Sequence, residues 1–96
     1  MYAHVNIWRL NETGATSSTE AAQAIAERYR MQPGFRSYTV IRTGPQETAV
    51  VTLFDSREQL EAAVHALADV VRQRVDPLAA SAPERRQGEV LYHAQA

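Results

Sequence analysis

The N-terminal stretch Tyr2-Ala3-His4-Val5-Asn6-Ile7-Trp8-Arg9-Leu10 alternates two unlike sets of side chains. Ala3, Val5 and Ile7 fall on one parity; Tyr2, His4, Asn6 and Trp8 fall on the other. A strand repeats every two residues, so the pattern predicts a strand with an aliphatic face and a face carrying an imidazole, an amide and an indole in a row. The aliphatic row is expected to press on the core and the polar-aromatic row to face a ligand. A polar connection, Asn11 to Ser17, follows, and Ser17 with Glu20 has the spacing of a capping box, which predicts a helix beginning there. Ala22, Ile25, Ala26 and Tyr29 form its apolar stripe, and Gln32-Pro33-Gly34 ends it, with Phe35 packing near the turn.

Arg36 to Arg42 and Thr48 to Phe54 are both β-prone, and Thr43-Gly44-Pro45-Gln46-Glu47 between them supplies turn chemistry, so the pair reads as a hairpin. In its second arm Ala49, Val51 and Leu53 match the aliphatic row, which puts Val50, Thr52 and Phe54 with His4, Asn6 and Trp8. The first arm leaves its faces open, because Tyr38 and Val40 compete with Thr39 and Ile41. Asp55 and Glu58 form a second capping box. Beyond it Leu60, Ala63, Val64, Leu67, Val71 and Val75 keep to one side of a helix of roughly twenty residues, a rod near 30 Å long, until Asp76-Pro77 stops it. Ala79 to Gln87, with Pro83 and the Arg85-Arg86 pair, reads as a mobile loop, and Gly88 to Ala94 as a short last strand.

The order β-α-β-β-α-β predicts one α+β domain over residues 1–96, with a ferredoxin-like four-stranded antiparallel sheet and both helices on one face. The opposite face, bearing Trp8, Phe54 and Tyr92, is then too apolar to remain bare on a small monomer. Face-to-face homodimerisation around an enclosed space is the expected remedy.

Composition narrows the function. Ten basic residues, all arginine, against eleven acidic ones give a formal charge of −1, which offers no net field for nucleic acid or an anionic membrane. The absence of cysteine excludes disulfides, thiolate nucleophiles and cysteine-ligated metals. No apolar run approaches a bilayer span, and a soluble, cytoplasmic protein is expected. His4, His65 and His93 lack the spacing of a metal motif, so no metal site is expected.

Three stretches carry a resemblance: His4-Val5-Asn6-Ile7, the turn Pro33-Gly34-Phe35, and Ala49 to Ala62, in which Phe54-Asp55-Ser56 gives an aromatic strand end followed by an acidic-serine helix start. Together they resemble the antibiotic biosynthesis monooxygenase-like family of dimeric α+β barrels, with Phe54 where tryptophan is frequent. The resemblance implies a homodimer whose cavity takes a small planar aromatic or phenolic substrate and oxidises it without a cofactor.

It also implies that Asn6 faces the substrate, as the first-strand asparagine does in the haem-degrading branch. That branch further uses a helix histidine as axial ligand and a helix tryptophan near the porphyrin. Here His65 lies off the apolar stripe of its helix and no tryptophan follows Trp8, so haem is not the expected cofactor. Asn6 and His4 are thus the candidate catalytic residues, His93 a further candidate base, and Trp8, Phe54, Tyr38 and Tyr92 the candidate ligand-binding residues. The competing reading is a dimer that binds a small ligand without turning it over, or whose cavity is filled by its own side chains.

Overall fold

The computed structural model describes residues 1–96. Four strands, β1 (Tyr2–Arg9), β2 (Phe35–Gly44), β3 (Glu47–Phe54) and β4 (Glu84–Glu89), form one antiparallel sheet in the order β2-β3-β1-β4. Helix α1 (Glu12–Arg30) connects β1 to β2, and α2 (Arg57–Ala66), α3 (Ala68–Arg74) and a 3-10 turn, Asp76–Leu78, connect β3 to β4. This is the ferredoxin-like α+β arrangement that the element order predicts.

The orientation of the sheet is the reverse of expectation. His4, Trp8, Val50, Thr52 and Phe54 are buried, and they face the helices. Phe54 is 0% exposed and sits with Ile25, Tyr29, Leu60, Ala63 and Leu67 in the larger core cluster, where its ring meets those of Tyr29 and Phe35 edge-on. Trp8, Leu10 and Val50 form a second cluster against Val71 and Val75. The register pairs Tyr38 with Thr52 and Val40 with Val50, which also settles the faces of β2: Tyr38 and Val40 look toward the helices, Thr39 and Ile41 away. Ala3, Val5, Ile7, Val51 and Leu53 therefore occupy the uncovered face. The physical reason is bulk. Helices standing off a sheet leave a gap that an indole and a phenyl ring fill, whereas short aliphatics make the flat surface on which another sheet can lie.

Several boundaries also differ. Helix α1 starts five residues before the predicted Ser17, because Asn11 is its cap: the Gly14 N–H donates to Asn11 Oδ1 at 2.8 Å, and Asn11 Nδ2 donates to the Pro77 carbonyl at 2.8 Å. Gly14 lies so close to the Leu78 carbonyl that a Cβ would not fit. The second helix is capped by Ser56, whose hydroxyl accepts from the Gln59 N–H at 3.2 Å, while Asp55 instead pairs with Arg36. The expected single rod is broken at Leu67 into α2 and α3. At the Pro33-Gly34 turn, Gly34 adopts φ 80°, the left-handed backbone that favours glycine, with the end of the Gln59 side chain lying over its α-carbon.

The largest shift is at the C-terminal end. Residues 84–87, expected to belong to a loop, are strand, and the expected strand over 88–94 ends at Glu89. The pairing Tyr2↔Glu89 is the last that β1 offers, apart from a Val90 N–H bond to the Met1 carbonyl at 2.9 Å. Leu91 and Tyr92 have no strand to join and are exposed. The strand that does form, Glu84-Arg85-Arg86-Gln87-Gly88-Glu89, is a charged edge with little β-propensity of its own, held by the backbone ladder to β1.

Candidate functional site

Between β1 and the α2–α3 segment lies a cavity in two joined chambers, which share His4, Val64, Ala68 and Arg85. The inner chamber, about 230 Å³, is walled by Asn6, Trp8, Tyr29, Val71, Arg72 and Asp76 in addition to those four. The outer one, about 410 Å³, opens between Glu61 and His65 on α2 and Arg86 and Gln87 on β4. The strand's alternation delivers His4, Asn6 and Trp8 to a single wall. The break at Leu67 places Val64 and Ala68 at the join, with α3 continuing over the inner chamber.

Asn6 Oδ1 is buried and accepts no hydrogen bond. A buried amide oxygen left unpaired is costly, which makes this atom a position for a donor on a bound molecule. His4 is 6% exposed, and its imidazole makes no side-chain hydrogen bond to the protein. Burial, with the neighbouring positive charge of Arg85 as the lesser cause, lowers its pKa, so the ring is neutral at physiological pH and able to accept a proton. Tyr29, on the inner wall, has its phenol pKa raised by burial, an effect that Arg85 partly opposes.

The predicted residues therefore divide. His4, Asn6 and Trp8 come together on the cavity wall. Phe54 lies in the core. Tyr38 stacks on Tyr29 with ring centroids 5.4 Å apart, and burial and the nearby Tyr29 push its phenol far above the usual range; it supports the wall from behind. Tyr92, 87% exposed, and His93, also exposed, lie beyond β4. His65 is exposed on α2, as its position off the stripe predicts, yet it stands at the mouth of the outer chamber. Sequence reasoning missed Arg85, Asp76, Val71 and Ala68. Only Arg85 left a signal, as part of a basic pair, and its alternation became meaningful once residues 84–89 proved to be a strand.

Val64 and Ala68 are the hydrophobic residues among the eight lining the outer chamber, and Trp8, Tyr29 and Val71 join them in the inner one.

No family model matches the chain, and no curated protein matches it. Solved structures do. A putative antibiotic biosynthesis monooxygenase from Nitrosomonas europaea superimposes with a TM-score of 0.83 at 17% identity, covering 96% of this chain and 100% of its own. SnoaB, a cofactor-independent oxygenase from Streptomyces nogalater, gives 0.81 at 14% identity over 96% of this chain and 94% of its own. A variant of MhuD with two manganese protoporphyrin IX bound per active site gives 0.79 at 19% identity over 100% of both chains. At these identities the likeness speaks to architecture: over nearly its full length, the chain has the α+β fold of proteins named as antibiotic biosynthesis monooxygenases.

Proposed function

We propose that the chain is a cofactor-independent monooxygenase that oxidises a small planar phenol in the cavity behind β1, and that it works as a homodimer joined through the uncovered sheet face. The observation that carries this reading is the row His4-Asn6-Trp8 on one wall, with Asn6 Oδ1 buried and unpartnered. SnoaB, of like fold, is described as a cofactor-independent oxygenase, which supports the same class here.

In such a reaction an anthrone-like methylene loses a proton and the carbanion gives an electron to dioxygen. The resulting pair combines at carbon as a hydroperoxide, and loss of water leaves a carbonyl. One oxygen atom ends in the product and one in water. The chain's part is to accept the proton at neutral His4, hold a phenolic O–H at Asn6 Oδ1, stack the ring on Trp8 and exclude water.

The test is oxygen uptake with a panel of anthrone-like phenols in chelator-treated buffer. Turnover with one labelled oxygen atom in the product is expected, and His4→Ala is expected to lower it about a hundredfold. No uptake with any phenol, or variants of His4 and Asn6 that match wild type, would sink the reading.

One observation favours a second reading, a binding protein without turnover. His4 has no carboxylate partner, and Glu61 at the chamber mouth is bonded to Arg57 at 2.9 Å. Ligand binding without oxygen uptake is the outcome that selects it. Haemin added to the protein is expected to give no Soret shift under either reading.

A further inference from the structure

We propose that the ligand of this cavity is anionic, a phenol bearing a carboxylate or an equivalent acidic substituent, and that Arg85 is the residue that anchors it. The inference rests on the cavity being the ligand site and adds the ligand's charge. Arg85 pairs across the ladder with Asn6, so the two side chains rise from adjacent strands on the same face. Arg85 borders both chambers as well as the shallow pocket beside Ala79 to Pro83.

Its guanidinium is unengaged. The chain's ion pairs are Arg9–Glu47, Arg36–Asp55, Arg57–Glu61 and Arg72–Asp69, and the hydrogen bond at Arg85 is one its backbone carbonyl accepts from Arg86. The two other charged residues bordering the cavity near Val64 and Val71 are thus already matched, Glu61 by Arg57 and Arg72 by Asp69. Of the unmatched charges, Arg85 borders both chambers and Asp76 the inner one, while Arg86, paired with Val5, alternates to the other face of the strand. The outer chamber, which Arg85 borders and Asp76 does not, is the end that suits an anionic group. A planar guanidinium binds a carboxylate through two parallel N–H bonds, a geometry that also fixes ring orientation. A ligand with its acid on the solvent-exposed Arg85 and a neighbouring hydroxyl donating to Asn6 Oδ1 pairs the buried oxygen and the free guanidinium at once.

The probes are a hydroxynaphthoate and the matching naphthol, titrated into the full chain by calorimetry, with quenching of Trp8, the sole tryptophan, as a second readout. In wild type the naphthoate is expected to bind about tenfold or more tightly than the naphthol, with the advantage shrinking as salt is raised. Arg85→Gln is expected to abolish that advantage, each affinity being compared with that for naphthol in the same variant, and Arg85→Lys to restore part of it. Equal binding of the two probes to wild type, or an advantage that survives Arg85→Gln, overturns the anchor and leaves the cavity reading standing. Failure of both probes to bind overturns the cavity reading and the anchor with it.

Discussion

The two faces of the sheet use opposite materials. The face under the helices holds His4, Asn6, Trp8, Tyr38, Val50, Thr52 and Phe54, a mixture of rings and polar groups. The uncovered face holds the aliphatic Ala3, Val5, Ile7, Ile41, Val51 and Leu53 at its centre, with Ser37 and Thr39 on β2 and Glu84 and Arg86 on β4 flanking them. Large rings bridge the gap to a helix, and where they stop short a cavity remains, into which polar groups can point. Short aliphatics build a level surface that suits a second sheet. Polarity alone thus misassigns the faces of a strand, because the polar row here is the one more deeply enclosed.

The comparison can be broken most forcefully at Phe54. Phe54→Ala, on the helix face, is expected to cost about 3–5 kcal/mol, read from urea unfolding at fixed protein concentration. A cost near that of a surface change would undo the assignment of faces. Val51→Asp, on the uncovered face, is expected to leave the monomer folded by circular dichroism but to turn the proposed dimer into a monomer in sedimentation; a variant that associates like wild type would remove the uncovered face from the interface. Gly34→Ala is expected to destabilise by about 1–3 kcal/mol, since its φ of 80° disfavours a side chain.

The smallest effect is the pH dependence of His4. Its folded pKa lies below the unfolded value of 6.5, so the unfolded chain binds more protons in the interval between them. The stability contributed by the neutral ring is present above 6.5 and is lost as pH falls through the folded value. The titratable and charged groups that line the cavity with it are Arg85, Glu61, His65, Tyr29, Arg72 and Asp76. A melting temperature that falls on acidification below 6.5 in wild type, with a flatter course in His4→Gln, is the expected result. Identical courses would remove His4 as the source.

The element order and the hairpin were legible in the sequence because they rest on local signals: helical stripes such as Ile25 and Tyr29, and turn residues such as Pro33-Gly34. The side of the sheet that takes the helices was not legible, since both rows of β1 contain residues able to be buried and alternation supplies no sign. The last strand was not legible either. Arg85 and Gln87 lie in a strand only because β1 offers them a ladder, while the β-prone Val90 to Tyr92 runs past the end of that ladder. The wall carrying His4, Asn6 and Trp8 followed from alternation, but Arg85 and Ala68 enter it through pairing and a helix break, neither of which has a local signature.

The break at Leu67 has a geometric meaning of its own. A straight rod laid over a twisted surface meets it along a short line and then lifts away. Dividing the rod into two jointed segments lets the first keep contact with β1 and β3 while the second inclines toward the 3-10 turn and α1. The inner chamber is lined from both segments, by Val64 before the joint and by Ala68, Val71 and Arg72 after it, so Leu67 sits where a change of backbone direction would move one side of the chamber and leave the β1 wall in place.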